Sequence, residues 1–194
     1  MSFYKEYQKY KDLNFKDYFE NVSTNSIMRA INGESLNEMD FLALLSPKAQ
    51  EYLEDMAQKS KALTLQHFGK VIFLYTPLYL SNYCDNQCLY CGFNVKNKIE
   101  RKKLNLEEVE NEAKYISSTG LRHILILTGE SLRHTPLSYI ADCVKVVKKY
   151  FRSISIEIYS LSENEYKTLI EAGVDGMTIY QEVYDKEKYE KLHP

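Results

Sequence analysis

The chain has 194 residues, an apolar fraction of 44% and a formal net charge of −2. This length favours one domain over two, and the apolar residues can supply a real core. The small net charge gives no sign of a nucleic-acid or membrane surface, no apolar run approaches the ~20 residues of a membrane span, and the N-terminus lacks the apolar core of a signal peptide, so we expect a cytoplasmic protein.

Residues 1–70 are predicted to form an N-terminal helical extension. Capping residues and helical spacing of apolar residues mark three helices. The first is Ser23–Asn32, the second begins at a capping box formed by Ser35 and Glu38, and the third begins at Ser46-Pro47 and ends near Gln66, before Gly69.

Residues 71–194 alternate between apolar extended runs and helices. Strands are predicted at 71–75 and 78–82, split by Pro77, and at 121–127, 153–159 and 174–180; helices are predicted at 106–118, 136–150, 162–172 and 185–192. Repeated βα units with apolar strands indicate a parallel sheet covered by helices. An eight-fold βα barrel needs about 250 residues, so these four units predict the first half of an α/β barrel and a chain that is a fragment.

Three of the four cysteines lie within eight residues, as Cys84-x3-Cys88-x2-Cys91. Clustered cysteines in a cytosolic chain indicate metal or redox chemistry. A structural zinc site takes four protein ligands, and so does an ordinary all-cysteine iron–sulfur cluster. Three thiolates on a [4Fe–4S] cluster would leave one iron open to a substrate, although a zinc knuckle or structural thiols remain the alternative. Cys143, among apolar residues of a helix, is predicted to be a buried core residue.

Polar residues follow the predicted strands at one end of the sheet, where parallel βα folds collect their functional groups. Glu130 follows the predicted strand at 121–127, and Glu157 lies in the strand at 153–159. Gln181 and Glu182 follow the strand at 174–180. The basic run Lys96–Lys103 is predicted to be a solvated surface.

The chain resembles the radical S-adenosylmethionine (SAM) superfamily in its cysteine motif, in Tyr90 and in Thr128-Gly129-Glu130. The last of these stands where the superfamily usually has Gly-Gly-Glu. This resemblance implies a radical SAM type of barrel, a [4Fe–4S] cluster on Cys84, Cys88 and Cys91, and SAM on the open iron. It also implies that Glu130 accepts a hydrogen bond from the methionyl ammonium and that Tyr90 lies beside the adenine. Glu157 would bind the ribose hydroxyls or serve as a buried ion-pair partner.

A closer resemblance, over roughly residues 20 to 194, is to the 2-iminoacetate synthase family of thiazole biosynthesis. It rests on residues 77–84, Cys91-Gly-Phe-Asn94, Leu127-Thr-Gly-Glu130 and residues 180–184; Ser160 and Val183 depart from the usual Pro and Thr. The resemblance implies cleavage of the Cα–Cβ bond of tyrosine to 2-iminoacetate and p-cresol, started by reductive cleavage of SAM.

The partners that this resemblance implies are tyrosine as substrate, an electron donor such as flavodoxin or ferredoxin, and thiazole synthase as a possible protein partner. Two alternatives stay open. One is the related radical SAM tyrosine lyase of hydrogenase cofactor maturation, and the other is a non-catalytic, metal-binding half barrel.

Overall fold

The computed structural model describes residues 4–194. It consists of two compact units, one ending at Val71 and the other spanning Ile72–Pro194. Within residues 4–194, no helix combines the length and apolarity that crossing a bilayer requires.

The first unit is entirely helical. It contains α1 (Tyr4–Tyr10), α2 (Phe15–Asn21), α3 (Thr24–Asn32), α4 (Glu38–Leu44), a 3-10 helix (Pro47–Tyr52) and α5 (Leu53–Phe68). The prediction of α3 is confirmed, whereas α1 and α2 were not predicted. The single helix predicted from Ser46-Pro47 to near Gln66 is instead the 3-10 helix followed by α5, which ends at Phe68 before the predicted stop at Gly69. Its small core consists of Val22, Ile27, Ile31, Ala43 and Ala49.

The start of α4 differs from the prediction by two residues. Asn37, rather than Ser35, caps this helix: its side chain accepts a hydrogen bond from the Asp40 amide at 2.9 Å. The Asp40 carboxylate bonds back to the Asn37 amide at 3.2 Å and also pairs with Arg29. The Arg29 hydrogen bond, followed by that of Asn37, lowers the pKa of Asp40. Because α3 holds Asp40 through Arg29, the capping box that includes Asp40 is favoured over the one inferred from sequence.

The second unit is a four-stranded parallel sheet with the order β1-β2-β3-β4, which confirms the predicted α/β fold. Its elements are β1 (Tyr75–Ser81), α6 (Leu106–Ser118), β2 (His123–Thr128), α7 (Leu137–Val147), β3 (Ser153–Glu157), α8 (Glu163–Ala172), β4 (Gly176–Met177) and α9 (Lys186–Leu192).

One face of this sheet packs against the helices and forms the main core. Alternate strand residues on it lie in register across the sheet, as Leu78, Ile126 and Ile156 do. They pack with the buried side chains of α6, α7 and α8, among them Val109, Val144 and Leu169. Alternation of side chains along each strand sends the intervening residues to the opposite face.

Two strand predictions need substantial correction, and β3 also ends at Glu157, two residues before its predicted end. Residues 71–74 are outside the sheet, and β1 runs through Pro77 without a break. An edge strand tolerates proline because its outer N–H groups are not needed for the ladder. The predicted strand at 174–180 contributes only Gly176 and Met177 to β4, because ladder pairing with β3 is limited to Ser155 and Ile156.

Candidate functional site

An open cavity of about 380 Å³ lies at the C-terminal ends of the strands. Its lining includes all six residues selected from the sequence for metal or cofactor binding, namely Cys84, Cys88, Tyr90, Cys91, Glu130 and Glu157. Glu182 also lines the cavity, whereas Gln181 lies outside the lining and donates a hydrogen bond to the Val183 carbonyl. Parallel strands bring these residues together although they are distant in sequence, Cys84 and Glu182 being 98 positions apart.

The segment that carries the three cysteines, residues 82–97, is called the cysteine loop here. It has no regular secondary structure and is held by its own hydrogen bonds. The Cys91 amide donates to the Cys88 carbonyl at 3.2 Å, and the Asn94 amide donates to the Cys91 carbonyl at 3.1 Å. The buried Asn94 side chain also donates to the Cys88 carbonyl, at 3.0 Å. These bonds fix the backbone between Cys88 and Asn94.

All three loop cysteines are free, partly exposed thiols. Burial raises the pKa of Cys88, and the nearby Cys91, Cys84 and Glu130 raise it further. Within residues 4–194, no three His, Cys, Asp or Glu side chains are grouped closely enough to hold one metal ion. A single ion would need its ligands around one point, whereas the thiolates of a [4Fe–4S] cluster each bind a different iron atom.

Glu130 connects the end of β2 to the cysteine loop. Its carbonyl accepts a hydrogen bond from the Asp85 amide at 2.8 Å, and its carboxylate accepts one from the Asn86 side chain at 2.7 Å. The Asn86 carbonyl in turn accepts from the Val95 amide at 2.9 Å. Asn86 was not selected from the sequence, because its partner is 44 positions away.

Gly129 lies in close contact with the start of the loop. A Cβ atom at this position would overlap the Tyr83 carbonyl oxygen and lie 3.1 Å from the Cys84 Cβ. Only glycine therefore allows the end of β2 to pass this close to Cys84. The adjacent residue, Thr128, also belongs to the cavity lining. Its hydroxyl is buried and has no hydrogen-bond partner within residues 4–194.

Tyr90 is held by the C-terminal end of α9 and its capping residue His193. Its hydroxyl lies 2.6 Å from Nε2 of His193, and the Leu89 amide donates to the Leu192 carbonyl at 2.9 Å. Nδ1 of His193 lies 3.1 Å from the Tyr189 carbonyl, which can only accept. A neutral His193 therefore carries its proton on Nδ1, and its Nε2 accepts from the Tyr90 hydroxyl. Burial, followed by the nearby Cys88, raises the pKa of Tyr90, so this hydroxyl keeps its proton at neutral pH.

The basic run 96–103 is solvent-exposed except at Arg101, which is half-buried. Arg101 donates hydrogen bonds to backbone carbonyls of the cysteine loop, a role that was not predicted from the sequence. One signal was available, since Arg101 is the only arginine in a run of lysines and a guanidinium offers five donors where an ammonium offers three.

His134 stacks on Tyr83 at a centroid distance of 3.9 Å. Its Nδ1 lies 2.9 Å from the hydroxyl oxygen of Ser131. Tyr83 directly precedes Cys84, so this stack supports the start of the cysteine loop.

Comparison with known proteins gives three findings. The sequence model described as the Radical SAM superfamily matches residues 78–194. The 2-iminoacetate synthase of Escherichia coli (strain K12) is 40% identical to the chain over 167 residues, which cover 86% of the chain and 44% of the relative. The 3-methylornithine synthase of Methanosarcina acetivorans is 34% identical over 172 residues, covering 84% of the chain and 47% of the relative.

Among solved structures, a crystal structure of HydG, a maturase of the [FeFe]-hydrogenase, superimposes with a TM-score of 0.80 and 28% sequence identity. The match covers 98% of the chain and 42% of that structure. The chain therefore spans less than half the length of each of these three proteins.

Proposed function

Because the chain belongs to the radical SAM superfamily, we propose that Cys84, Cys88 and Cys91 bind a [4Fe–4S] cluster and that SAM binds the remaining iron. The observation that carries this proposal is the convergence of three free thiols and Glu130 on one cavity at the strand ends.

The residues present fit these groups. Three thiolates suit three irons of a [4Fe–4S] cluster and leave the fourth without a protein ligand. Thr128, another residue of the cavity lining, has a buried hydroxyl that no residue from 4 to 194 pairs with. When bound, the cluster and SAM supply the one-electron chemistry that starts the reaction in this superfamily.

The chain's own residues bind and orient. Glu130 accepts a charge-assisted hydrogen bond from the SAM ammonium, and Asn86 holds its carboxylate at the cavity. Glu157 accepts hydrogen bonds from the ribose hydroxyls. Tyr90 lies beside the adenine, with its ring fixed by the bond from its hydroxyl to His193.

We propose that the reaction is the cleavage of tyrosine to 2-iminoacetate and p-cresol, with 2-iminoacetate used for thiazole synthesis. The 40% identity to a 2-iminoacetate synthase supports this activity. Tyrosine is the proposed substrate, flavodoxin or ferredoxin the electron donor, and thiazole synthase a protein partner. The structural likeness to HydG favours one second candidate, a tyrosine lyase of hydrogenase cofactor maturation.

The first test is anaerobic reconstitution of the chain with iron and sulfide. We expect a brown protein with about four irons per chain. Cys88→Ala should not retain that cluster. Cys143→Ala is the matched control, because Cys143 is buried in the helix-covered core and should not affect iron content. A colourless wild-type protein containing one zinc would refute the proposal.

The second test is SAM cleavage by the reduced protein, with and without tyrosine, followed by analysis for p-cresol. Because the cavity is open and the chain covers 44% of the E. coli relative, we expect little or no SAM cleavage by this chain alone. Cleavage that depends on tyrosine and forms p-cresol would support the lyase activity. SAM cleavage driven by another amino acid, with none driven by tyrosine, would contradict the proposed substrate.

A further inference from the structure

Arg101 contacts both ends of the cysteine loop at once. Nη1 donates hydrogen bonds to the carbonyls of Asn82 at 2.7 Å and Phe93 at 2.8 Å. Nη2 donates to the carbonyls of Asn94 at 2.6 Å and Asn97 at 3.3 Å. Asn82 precedes Cys84 by two residues, and Phe93 follows Cys91 by two. A single guanidinium therefore joins the backbone on either side of the three cysteines.

The backbone around Arg101 is itself fixed to the end of β1. The Asn82 side chain accepts a hydrogen bond from the Lys102 amide at 2.7 Å and donates one to the Glu100 carbonyl at 2.8 Å. The Asn82 amide donates to the Lys102 carbonyl at 3.1 Å, and Ser81 and Lys103 form an antiparallel bridge. Arg101 therefore extends from an anchored segment, which lowers the entropic cost of holding its long side chain in one geometry.

The charge of Arg101 is directed at carbonyls. None of the ion pairs formed within residues 4–194 includes Arg101. Hydrogen bonds from a charged donor contribute more to stability than bonds between neutral groups do. The planar fork of arginine can reach four carbonyls in fixed directions, whereas the ammonium of lysine has three donors at one point.

We propose that Arg101 is a positioning residue that closes the cysteine loop and sets the relative positions of its three thiols before a cluster binds. This inference rests on the proposed function, because a fixed arrangement of thiols matters most when one cluster must bind all three. Arg101 itself does not line the cavity and acts through the loop backbone.

The test compares Arg101→Lys with Arg122→Lys, and both variants keep the net charge. Arg122 is the matched control because it also donates to backbone carbonyls, those of Ser117 and Leu121 at 3.0 Å, but at the opposite end of β2. The first measurement is amide hydrogen exchange on the metal-free chain. In Arg101→Lys we expect the loop amides of Cys91, Asn94 and Val95 to exchange about tenfold faster, which corresponds to the loss of one charged hydrogen bond. In Arg122→Lys these amides should exchange at the wild-type rate.

The second measurement is the rate at which reconstituted protein loses iron to a chelator. We expect Arg101→Lys to lose iron about tenfold faster than wild type and than Arg122→Lys, with all three proteins giving the same far-ultraviolet circular dichroism. Unchanged loop exchange in Arg101→Lys would overturn the inference, and so would faster exchange with an unchanged rate of iron loss. A wild-type chain that takes up no iron would instead contradict the proposed function, while the exchange data would still decide whether Arg101 orders the loop.

Discussion

The two faces of the sheet differ although they are built from the same strands. On the helix-covered face, Ile124, Ile126, Ile154 and Ile156 are at most 2% exposed. On the other face, Tyr79 is 50% exposed and lines the cavity with Leu127 and Glu157. Successive residues of a strand thus have different tasks, one face stabilising the fold and the other facing the candidate site.

The four cysteines show the same division. Cys143 is fully buried on α7 among the aliphatic core residues, whereas Cys84, Cys88 and Cys91 are partly exposed beside the cavity. One residue type therefore serves as a small apolar filler in the first environment and as a candidate ligand in the second. The four predictions below test this contrast.

The largest expected effect on stability comes from truncating the side chains of two neighbouring β2 residues that point to opposite faces of the sheet. Ile126→Ala should lower the free energy of unfolding by about 2–5 kcal/mol, because it opens a cavity in the core. Leu127→Ala removes a similar volume from the half-buried face and should cost about 1 kcal/mol. Urea denaturation of both variants measures the difference, and equal losses would contradict the assignment of the two faces.

A smaller effect is expected from Gly129→Ala. The added methyl group would overlap the Tyr83 carbonyl and press on Cys84, so the loop must shift at a cost of about 1–3 kcal/mol. Gly92→Ala is the control: it adds the same group within the cysteine loop, where no atom beyond its two chain neighbours lies within 4 Å. Thermal unfolding and iron content should both fall for Gly129→Ala alone. A full iron content in that variant would show that the close contact is not needed for the site.

The buried thiol should make stability depend on alkaline pH. Burial raises the pKa of Cys143 from 9.0 to about 11, against the opposing effects of Tyr139 and Lys103. The folded chain thus holds a proton that the unfolded chain has already released. Stability from this group is complete below pH 9 and is lost as the pH rises through about 11.

Urea denaturation at a series of pH values from 9 to about 11 should show a smaller loss of stability for Cys143→Ala than for wild type. Alkylation at pH 8, followed by mass spectrometry, gives an independent measurement. It should modify Cys84, Cys88 and Cys91 while Cys143 stays protected, and fast modification of Cys143 in the folded chain would contradict its burial.

The smallest expected effect is that of Tyr90→Phe. It removes the hydrogen bond to His193 and should cost about 1 kcal/mol, because the group is partly solvated. Tyr180→Phe is the control, since Tyr180 also lines the cavity and its hydroxyl has no hydrogen bond within residues 4–194. Hydrogen exchange at the Leu89 amide, which bonds to Leu192, should accelerate only in Tyr90→Phe. Equal exchange in both variants would show that the Tyr90–His193 bond does not hold this segment.

Predictions from sequence succeeded where the signal is local. The bounds of α6 match residue for residue, because Asn105 and Glu108 form a capping box within one turn of chain. The end of α8 was placed correctly because Gly173 adopts a φ of 127°, which favours glycine. The extent of β4 was overestimated, because pairing at a sheet edge depends on which neighbours are present and not on the apolar run itself.

The sequence by itself determined the spacing of the three cysteines, the order of the βα units and the type of fold, because cysteine spacing, helix caps and apolar periodicity act over short stretches of chain. Only the tertiary structure decided how the cysteine loop is held. The contacts of Asn86 with Glu130, of Tyr90 with His193 and of Gly129 with Tyr83 join residues 44, 103 and 46 positions apart. Arg101 is near the cysteines in sequence, yet its role depends on the folded path that brings both ends of the loop within reach of one guanidinium.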